Sequence, residues 1–302
     1  MRTSTLGLAL ALLATTVPAA TAAPSQNSVY AAAHPDDFAL FMGKNLMDDA
    51  VAKTPFVMIL GTAGDSGYGR GVGSNIYNKS YADVRVTAHI QSLRFLMSMA
   101  PGSQVPQTNQ TSEVHAGKRV TVYKIGEVKV YTLMLPDGNG DGSGFRGTNN
   151  ESVTRLRSGA VSSIKSLDGR NTSYTLAELK ATLASIIKTS MKGTGTVWLN
   201  VSDDAHGTNP DDHADHRDFS KTVQDAMSSE NCINKALYKG YAAARGSANQ
   251  NKNTTNNRMG YWGALNAYLI NDGNPTTFDS EHDYWIDRQF FRESWGAGGC
   301  RF

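Results

Sequence analysis

The chain has 302 residues, of which 40% are hydrophobic and 19% charged. This composition excludes a disordered, collagen-like or coiled-coil protein. With 29 basic against 27 acidic side chains, the sequence gives no electrostatic reason for binding nucleic acid or an anionic membrane. Beyond the N-terminus, no apolar run reaches the ~18 residues that a membrane span requires.

The first 22 residues have the pattern of an export signal. Arg2 supplies a positive start, residues 6–14 form an apolar stretch, and Ala20-Thr21-Ala22 is a small-residue cleavage site. A membrane anchor is the alternative, but the apolar stretch is too short for one. The sequence therefore predicts a secreted protein that is cut near Ala22. Residues 23–302 are expected to form a single domain, because no composition break or repeat divides them.

The remaining chain alternates strand and helix patterns. Apolar runs predict strands at 28–33, 56–62, 120–125, 128–135 and 196–201, and helical spacing predicts helices at 38–52, 80–99, 175–190 and 212–227. Thr175 and Glu178 have the spacing of a helix capping box. The alternation predicts right-handed parallel crossovers, and hence an α/β three-layer sandwich with a mostly parallel sheet. Ligands of such sheets bind beyond the carboxyl ends of the strands.

Two features of the sequence concern covalent modification. Cys232 and Cys300 are the only cysteines, and neither belongs to a Cys-x-x-Cys motif. In an exported protein we expect them to form a disulfide, and two buried free thiols are the alternative. Asn-x-Ser/Thr sequons, which permit glycosylation of a secreted chain, begin at Asn78, Asn109, Asn150, Asn171, Asn200 and Asn253.

Two segments concentrate the reactive polar side chains, each directly after a predicted strand or opening the helix that follows one. The first is Ala33-His34-Pro35-Asp36-Asp37, and the second runs over residues 211–216 with the sequence Asp-Asp-His-Ala-Asp-His. Each alone is explained by a turn or by helix capping, since proline fixes a turn and aspartate caps helices. Together, at matching strand ends, they indicate a functional site.

These residue types are suited to a divalent cation. Zinc binds imidazole nitrogen and carboxylate oxygen, and a catalytic zinc site has three protein ligands and one open position. His34 and Asp37 lie three residues apart across a proline turn, and His213 and His216 are separated by one helical turn. Two histidines and one carboxylate can therefore form an open site, with Asp36 beside the open position.

Taken together, these motifs resemble the PIG-L/LmbE family of zinc-dependent N-deacetylases. Segments 62–67 (Thr-Ala-Gly-Asp-Ser-Gly), 135–138 (Leu-Pro-Asp-Gly) and 238–241 (Tyr-Lys-Gly-Tyr) are similar to its secreted branch, and the resemblance covers most of residues 28–272. It implies a Rossmann-like fold, with zinc bound by the residues that match the motif, His34, Asp37 and His216.

The resemblance also implies roles for other positions. Asp36 matches the general base, and His213 matches the residue that stabilises the oxyanion or protonates the amine. Asp215 matches the carboxylate that orients and charges His213, and Arg85 matches an arginine that contacts substrate.

Three departures from the family pattern concern the surroundings of the metal. Phe38 follows Asp37 where an acidic residue is common, and Val86 follows Arg85 where glutamate is usual. Asp211 replaces a tyrosine that donates to the oxyanion in some members. The metal ligands are unchanged, so substrate choice and oxyanion stabilisation are the properties affected. Three further residues are candidates for contact with substrate, namely Asp65, Asp137 and Asp211.

The expected chemistry is hydrolysis of an amide. Bound zinc would activate a water molecule and polarise the carbonyl, Asp36 would take a proton, and a cationic His213 would face the oxyanion. The resemblance implies N-acetylglucosamine-type sugars or glycoconjugates as substrates. Hydrolysis of another amide or of an acyl ester, and sugar binding without turnover, are the alternatives.

Three weaker signals lie outside the two motifs. Asp137, Asn139 and Asp141 resemble the first half of a calcium-binding loop, but the closing position is not glutamate, which favours a flexible loop near the site. Aromatic residues between 261 and 295 are expected to fill a core rather than to stack on sugars. Among the other histidines, His206 is a candidate for lining the pocket, whereas His282 is expected to be structural or on the surface.

Overall fold

The computed structural model describes residues 26–69, 80–99, 102–170, 172–193 and 195–302. The predicted export signal at 1–22 lies outside the described residues, as do the sequons at Asn78 and Asn171. Of the described helices, none combines the length and the apolar character that crossing a membrane requires.

Strands and helices alternate through most of the chain. The strands are β1 (Gln26–Ala32), β2 (Phe56–Thr62), β3 (Thr108–His115), β4 (Lys118–Ile125), β5 (Val128–Leu135), β6 (Ile164–Lys165), β7 (Ser173–Tyr174), β8 (Thr196–Ser202), β9 (Ile233–Tyr238) and β10 (Phe291–Ser294). The helices are α1 (Asp37–Leu40), α2 (Gly43–Ala52), α3 (Tyr81–Ser98), α4 (Val153–Arg157), α5 (Leu176–Ser190), α6 (Ala214–Ala226), α7 (Lys252–Asn271) and α8 (Asp283–Ile286). Short 3-10 turns lie at Arg146–Thr148 and Tyr241–Arg245.

Eight of the strands form one sheet in the order β10-β9-β8-β1-β2-β5-β4-β3. Its centre, from β9 to β5, is parallel, and β10, β4 and β3 are added antiparallel at the two edges. Apolar clusters pack on both faces, with α1, α2, α3, α7 and α8 on one side and α4, α5 and α6 on the other. The predicted α/β three-layer sandwich with a mostly parallel sheet is confirmed.

The helix predicted at 38–52 is instead two helices, α1 and α2, separated by two residues. The break leaves carbonyl groups at the end of α1 without partners in the helix. The buried guanidinium of Arg258 donates to two of them, with Nη2 3.2 Å from Ala39 O and 2.7 Å from Leu40 O. Gly43 gives it room, because a Cβ there would lie 3.0 Å from Arg258 Nε. A distant side chain therefore stabilises a break that the local pattern does not show.

The expected disulfide joins Cys232, just before β9, to Cys300 near the C-terminus, with 5.2 Å between the Cα atoms. Among the sequons, Asn109, Asn150 and Asn253 are exposed. Asn200 is buried on β8, where its Oδ1 accepts from the Tyr238 hydroxyl, so the folded chain does not offer it for glycosylation.

Removing the disulfide is expected to lower the stability of the fold. The bond spans 68 positions of sequence, and closing such a loop in the unfolded chain corresponds to about 4 kcal/mol. We therefore expect the double variant Cys232→Ala, Cys300→Ala to lose about 4 kcal/mol of unfolding free energy. Urea denaturation followed by circular dichroism measures this loss. A midpoint and slope equal to those of the wild type would contradict the expectation.

Candidate metal-binding active site

The segment that follows β1 forms the first part of the site. β1 ends at Ala32, and His34 follows at the carboxyl edge of the parallel strands. Pro35 restricts the turn, and Asp37 begins α1. The backbone N–H of His34 donates to Asp37 Oδ2 at 2.8 Å. The turn itself therefore holds two of the predicted metal ligands next to each other.

The third predicted ligand, His216, lies in the first turn of α6, after the loop that leaves β8, the neighbour of β1. His34 Nδ1 lies 3.0 Å from His216 Nε2. Asp37 Oδ1 lies 3.0 Å from His216 Nε2 and 3.7 Å from His34 Nδ1. Two ligands of one tetrahedral zinc ion, each about 2.0–2.2 Å from the metal, lie roughly 3.3–3.5 Å apart. The three buried donor atoms are therefore spaced for one ion.

A carboxylate faces the second nitrogen of each of these imidazoles. His34 Nε2 lies 3.3 Å from Asp215 Oδ2, and His216 Nδ1 lies 3.0 Å from Asp212 Oδ1. With a proton on each of these outer nitrogens, the lone pairs of His34 Nδ1 and His216 Nε2 face each other. The types of donor and the orientation of the rings thus fit a divalent ion such as zinc.

Asp212 is a site residue to which the sequence analysis gave no role. Besides its contact with His216, its Oδ1 accepts from the backbone N–H of Tyr241 at 3.1 Å. Its Oδ2 accepts from Asn209 Nδ2 at 2.6 Å. The signal was present, since Asp212 and His216 are four residues apart, which is one helical turn.

Asp215 lies on a different imidazole from the one that the resemblance implied. Its Oδ2 contacts His34 and accepts from the backbone N–H of Gly138 at 2.7 Å. Glycine is needed at 138, because a Cβ there would lie 2.3 Å from Asp215 Oδ1. The contact with His213 is made by the Asp215 backbone N–H, which donates to His213 Nδ1 at 3.2 Å. The carboxylate of Asp215 therefore orients His34 rather than His213.

The predicted ligands carry opposing charges. Burial alone would lower the pKa of His216, but the carboxylates of Asp37 and Asp212 outweigh it and raise the pKa to about 10. Burial likewise opposes charge on His34, yet Asp37 and the hydrogen bond to Asp215 hold its pKa well above the ordinary value. Burial also disfavours ionised Asp37, but the two imidazoles hold the pKa of its carboxyl well below its usual range. The site therefore stabilises positive charge beside Asp37.

His213 is a neutral donor rather than the cation expected from the sequence. Burial and the neighbouring rings of His34 and His216 lower its pKa to about 2. Because Nδ1 accepts the backbone N–H of Asp215, the proton of the neutral ring lies on Nε2. That nitrogen lies 4.0 Å from Asp137 Oδ1. His213 can therefore donate a hydrogen bond without carrying charge.

Asp36 and Arg85 form a buried ion pair next to the predicted ligands. Arg85 Nη2 donates to Asp36 Oδ1 at 3.0 Å, and both side chains are less than 10% exposed. Arg85 comes from the first turns of α3, and Gly64 makes room for it, since a Cβ at 64 would lie 3.1 Å from Arg85 Nη2. The guanidinium fixes one carboxylate oxygen of Asp36. The other has no hydrogen bond from any residue in the described part of the chain.

All of these groups line one cavity of about 210 Å³. The wall that faces them is largely aromatic and comes from α1 and the C-terminal third of the chain, with Phe41, Tyr241, Thr277, His282 and Trp285. The expectations that His282 is structural or on the surface and that Trp285 only fills a core are therefore wrong. A larger cavity of about 590 Å³ lies at the opposite edge of the sheet and contains neither histidine motif.

Three other candidates lie away from the cavity wall. Asp65 is fully buried and accepts from the backbone N–H groups of Asp137 and Gly69, which makes it a loop-fixing residue. Asp211 is exposed and pairs with Arg245 at 2.5 Å. His206 is exposed and does not line the cavity. Asp137 does line it, as predicted from the sequence.

The loop that resembles half of a calcium site uses its oxygens locally. Asp137 Oδ1 accepts from the backbone of Asn139, and Asn139 Oδ1 accepts from the backbone of Gly140. Asp141 is exposed, and its Oδ1 accepts from the backbone of Ser143. These bonds are those of successive turns, and they give no support to a calcium ion at Asp137, Asn139 and Asp141.

A second group of donor atoms overlaps the first. His34, Asp137 and His213 also have donor atoms within 4.8 Å of one another. A neutral imidazole has one lone-pair nitrogen, so His34 serves one group at a time. The group with Asp37 and His216 is favoured, because carboxylates orient both of its imidazoles.

Comparison with known proteins gives structural neighbours only. No protein-family model and no curated protein matches the chain. The N,N'-diacetylchitobiose deacetylase from Pyrococcus horikoshii is 11% identical, over 83% of this chain and 72% of its own, with a TM-score of 0.45. Two structures of deacetylases from teicoplanin biosynthesis are similar at 14% and 13% identity. They cover 81% and 80% of this chain and 85% and 83% of their own, with TM-scores of 0.43 and 0.39. One of the two is described as the zinc-inhibited form of the deacetylase Orf2.

Proposed function

We propose that this chain is a zinc-dependent hydrolase that removes the N-acetyl group from N-acetylglucosamine-type sugars or glycoconjugates. The observation that carries the proposal is the convergence of His34 Nδ1, Asp37 Oδ1 and His216 Nε2 within 3.7 Å of one another. Asp36, held by Arg85, lies in the same cavity and completes the set needed for hydrolysis.

Each residue has a separate task in this proposal. His34, Asp37 and His216 would hold the ion, which when bound supplies Lewis acidity and lowers the pKa of water. Asp36 accepts the proton of the attacking water through the oxygen that Arg85 leaves free, and the same carboxyl then returns it to the departing amine. His213 donates from Nε2 to the substrate. Acetate and a free amino sugar are the products.

The choice of an N-acetyl sugar rests on the motifs and on the cavity. The two histidine motifs resemble those of the PIG-L/LmbE N-deacetylases. The cavity of about 210 Å³ is smaller than the ~300–1,000 Å³ of sites for drug-sized ligands. The aromatic rings of Tyr241 and Trp285 on its wall suit the apolar face of a sugar. We also propose that the protein is secreted, which the N-terminal export pattern and the disulfide support.

Acetate release by the purified protein tests this function. The protein is loaded with zinc and incubated with N-acetylglucosamine, its oligomers, and an aryl acetate ester, with and without chelator. We expect acetate from the N-acetyl sugars, none after chelation, and recovery when zinc is returned. Turnover of the ester alone would favour the acyl-ester alternative. Glycan binding without acetate release in the presence of zinc would indicate a sugar-binding protein.

Zinc binding is also expected to release protons. At neutral pH the raised pKa values of His34 and His216 keep protons in the site, whereas a metal ligand must offer a free lone pair. Binding should therefore release roughly one to two protons per ion, and zinc affinity should increase as the pH rises from 6 to 9. Calorimetry in buffers of different ionisation enthalpy measures this release. An affinity that does not change with pH would contradict the charge assignment.

A further inference from the structure

Tyr241 lines the same cavity, and its hydroxyl has been given no role so far. The residue begins the 3-10 turn Tyr241–Arg245 directly after β9 and Gly240. Its backbone N–H donates to Asp212 Oδ1 at 3.1 Å, the same oxygen that lies 3.0 Å from His216 Nδ1. Glycine is needed at 240, because a Cβ there would lie 2.3 Å from Asp212 Oδ1. One carboxylate oxygen therefore positions both a metal ligand and Tyr241.

Aromatic neighbours fix the ring of Tyr241. It stacks on Trp285, with 4.8 Å between the centroids and 6° between the planes. It lies 5.4 Å from the ring of His216 at 84°, and 6.3 Å from the ring of Phe41. Trp285 Nε1 also donates to the carbonyl of Tyr241 at 3.3 Å. A ring held on these sides keeps its hydroxyl in one position.

The hydroxyl of Tyr241 has no hydrogen-bond partner among the residues that the structure describes. Other buried tyrosines use theirs on side chains. Tyr30 donates to Asp49 at 2.7 Å, and Tyr238 donates to Asn200 at 2.8 Å. A phenol is a hydrogen-bond donor at neutral pH. Tyr241 therefore brings an unused donor to a cavity that the proposed substrate must enter.

We propose that the hydroxyl of Tyr241 donates a hydrogen bond to the carbonyl oxygen of the scissile N-acetyl group. This inference rests on the proposed function and deepens it, because it assigns stabilisation of the oxyanion to a residue outside both histidine motifs. Water adds to the carbonyl carbon, the C=O π bond opens, and its electron pair moves to the oxygen. Tyr241 keeps its proton and stabilises that negative charge, together with the neutral Nε2–H of His213.

The variant Tyr241→Phe tests this role in the zinc-loaded protein. Phenylalanine keeps the ring on Trp285 and removes only the hydroxyl, so thermal unfolding and zinc per chain are expected to be unchanged. We expect kcat for the N-acetyl substrate to fall on the order of 100-fold and KM to change by less than about 3-fold. Tyr284→Phe is the matched control. It removes the hydroxyl of a 56% exposed tyrosine beside Trp285 and should retain wild-type kinetics.

A readout that needs no turnover is the affinity for a tetrahedral methylphosphonamidate analogue of the substrate, measured by calorimetry. We expect Tyr241→Phe to weaken this binding by a factor similar to the loss in kcat, while its affinity for acetate stays at the wild-type value. Wild-type kcat and analogue affinity in Tyr241→Phe would overturn the inference. Loss of zinc in this variant would also overturn it, because Tyr241 would then act only by positioning His216.

The two proposals fail in distinguishable ways. If the wild type releases no acetate but binds the analogue more tightly than Tyr241→Phe does, the deacetylase function is refuted and the hydroxyl remains a donor to a tetrahedral oxyanion. If the wild type releases acetate and the variant releases it equally fast, the function stands and the role of Tyr241 is refuted. If the wild type neither releases acetate nor binds the analogue, both are refuted.

Discussion

Replacing His34 with alanine is expected to remove the zinc and the hydrolysis together. His34 Nδ1 lies 3.0 Å from His216 Nε2 and 3.7 Å from Asp37 Oδ1, so its loss leaves two ligands where a catalytic zinc needs three. A bound metal contributes several kcal/mol to the transition state, and each 1.36 kcal/mol corresponds to a factor of ten. We therefore expect acetate release to fall at least on the order of 10³-fold. Zinc per chain, measured by mass spectrometry of the desalted protein, should fall from near one to near zero.

The matched control for this variant is His206→Ala. His206 is exposed, lies in the loop between β8 and α6, and does not line the cavity. It should keep both its zinc and its rate. Circular dichroism of His34→Ala should show an intact fold, since the side chain lies at the end of a strand rather than within either apolar cluster. A His34→Ala protein that still bound one zinc and hydrolysed substrate would rule out this site.

Replacing Asp36 with asparagine is expected to abolish most of the turnover while leaving the metal in place. Asp36 is not among the three converging ligands, and its Oδ1 is held by Arg85 at 3.0 Å. Asparagine preserves the shape of the side chain but cannot take a proton from water. General acid–base catalysis contributes typically 10²–10⁴-fold, so we expect kcat to fall by about that factor.

Three measurements make the Asp36→Asn result specific. Zinc content and the unfolding temperature should remain close to those of the wild type, and kcat should fall much more than KM rises. Asp141→Asn, which changes an exposed carboxylate in the loop near the cavity, is the control and should have wild-type kinetics. A kcat within about twofold of the wild type in Asp36→Asn would show that another group accepts the proton.

The fold class was predictable because local patterns determine most of its parts. The buried strands at 56–62 and 128–135 lie where apolar runs placed them, and the capping box at Thr175 and Glu178 is formed. The edge strand β3 was missed because its residues are mostly polar and partly exposed, which removes the apolar signal. α7 was missed for a related reason, since it begins with polar residues that are poor helix formers.

The convergence of the metal ligands was also predictable, because both histidine motifs lie at carboxyl ends of strands that turn out to be neighbours, β1 and β8. The orientation of the side chains was not. Whether Asp215 lies on His34 or on His213 depends on where Gly138, 77 residues away, places its backbone N–H. The aromatic wall from α8 likewise depends on how Arg258 joins Trp285 O to the end of α1. No local pattern carries this information.

Zinc-edge anomalous diffraction from a crystal of the zinc-loaded protein tests the metal site most directly. We expect one anomalous peak, bound by His34 Nδ1, His216 Nε2 and a carboxylate oxygen of Asp37 at about 2.0–2.2 Å, with a fourth position open to the cavity. A zinc ion bound elsewhere, or the absence of any peak at these three residues when zinc is in excess, would contradict the proposed metal centre and the reaction built on it.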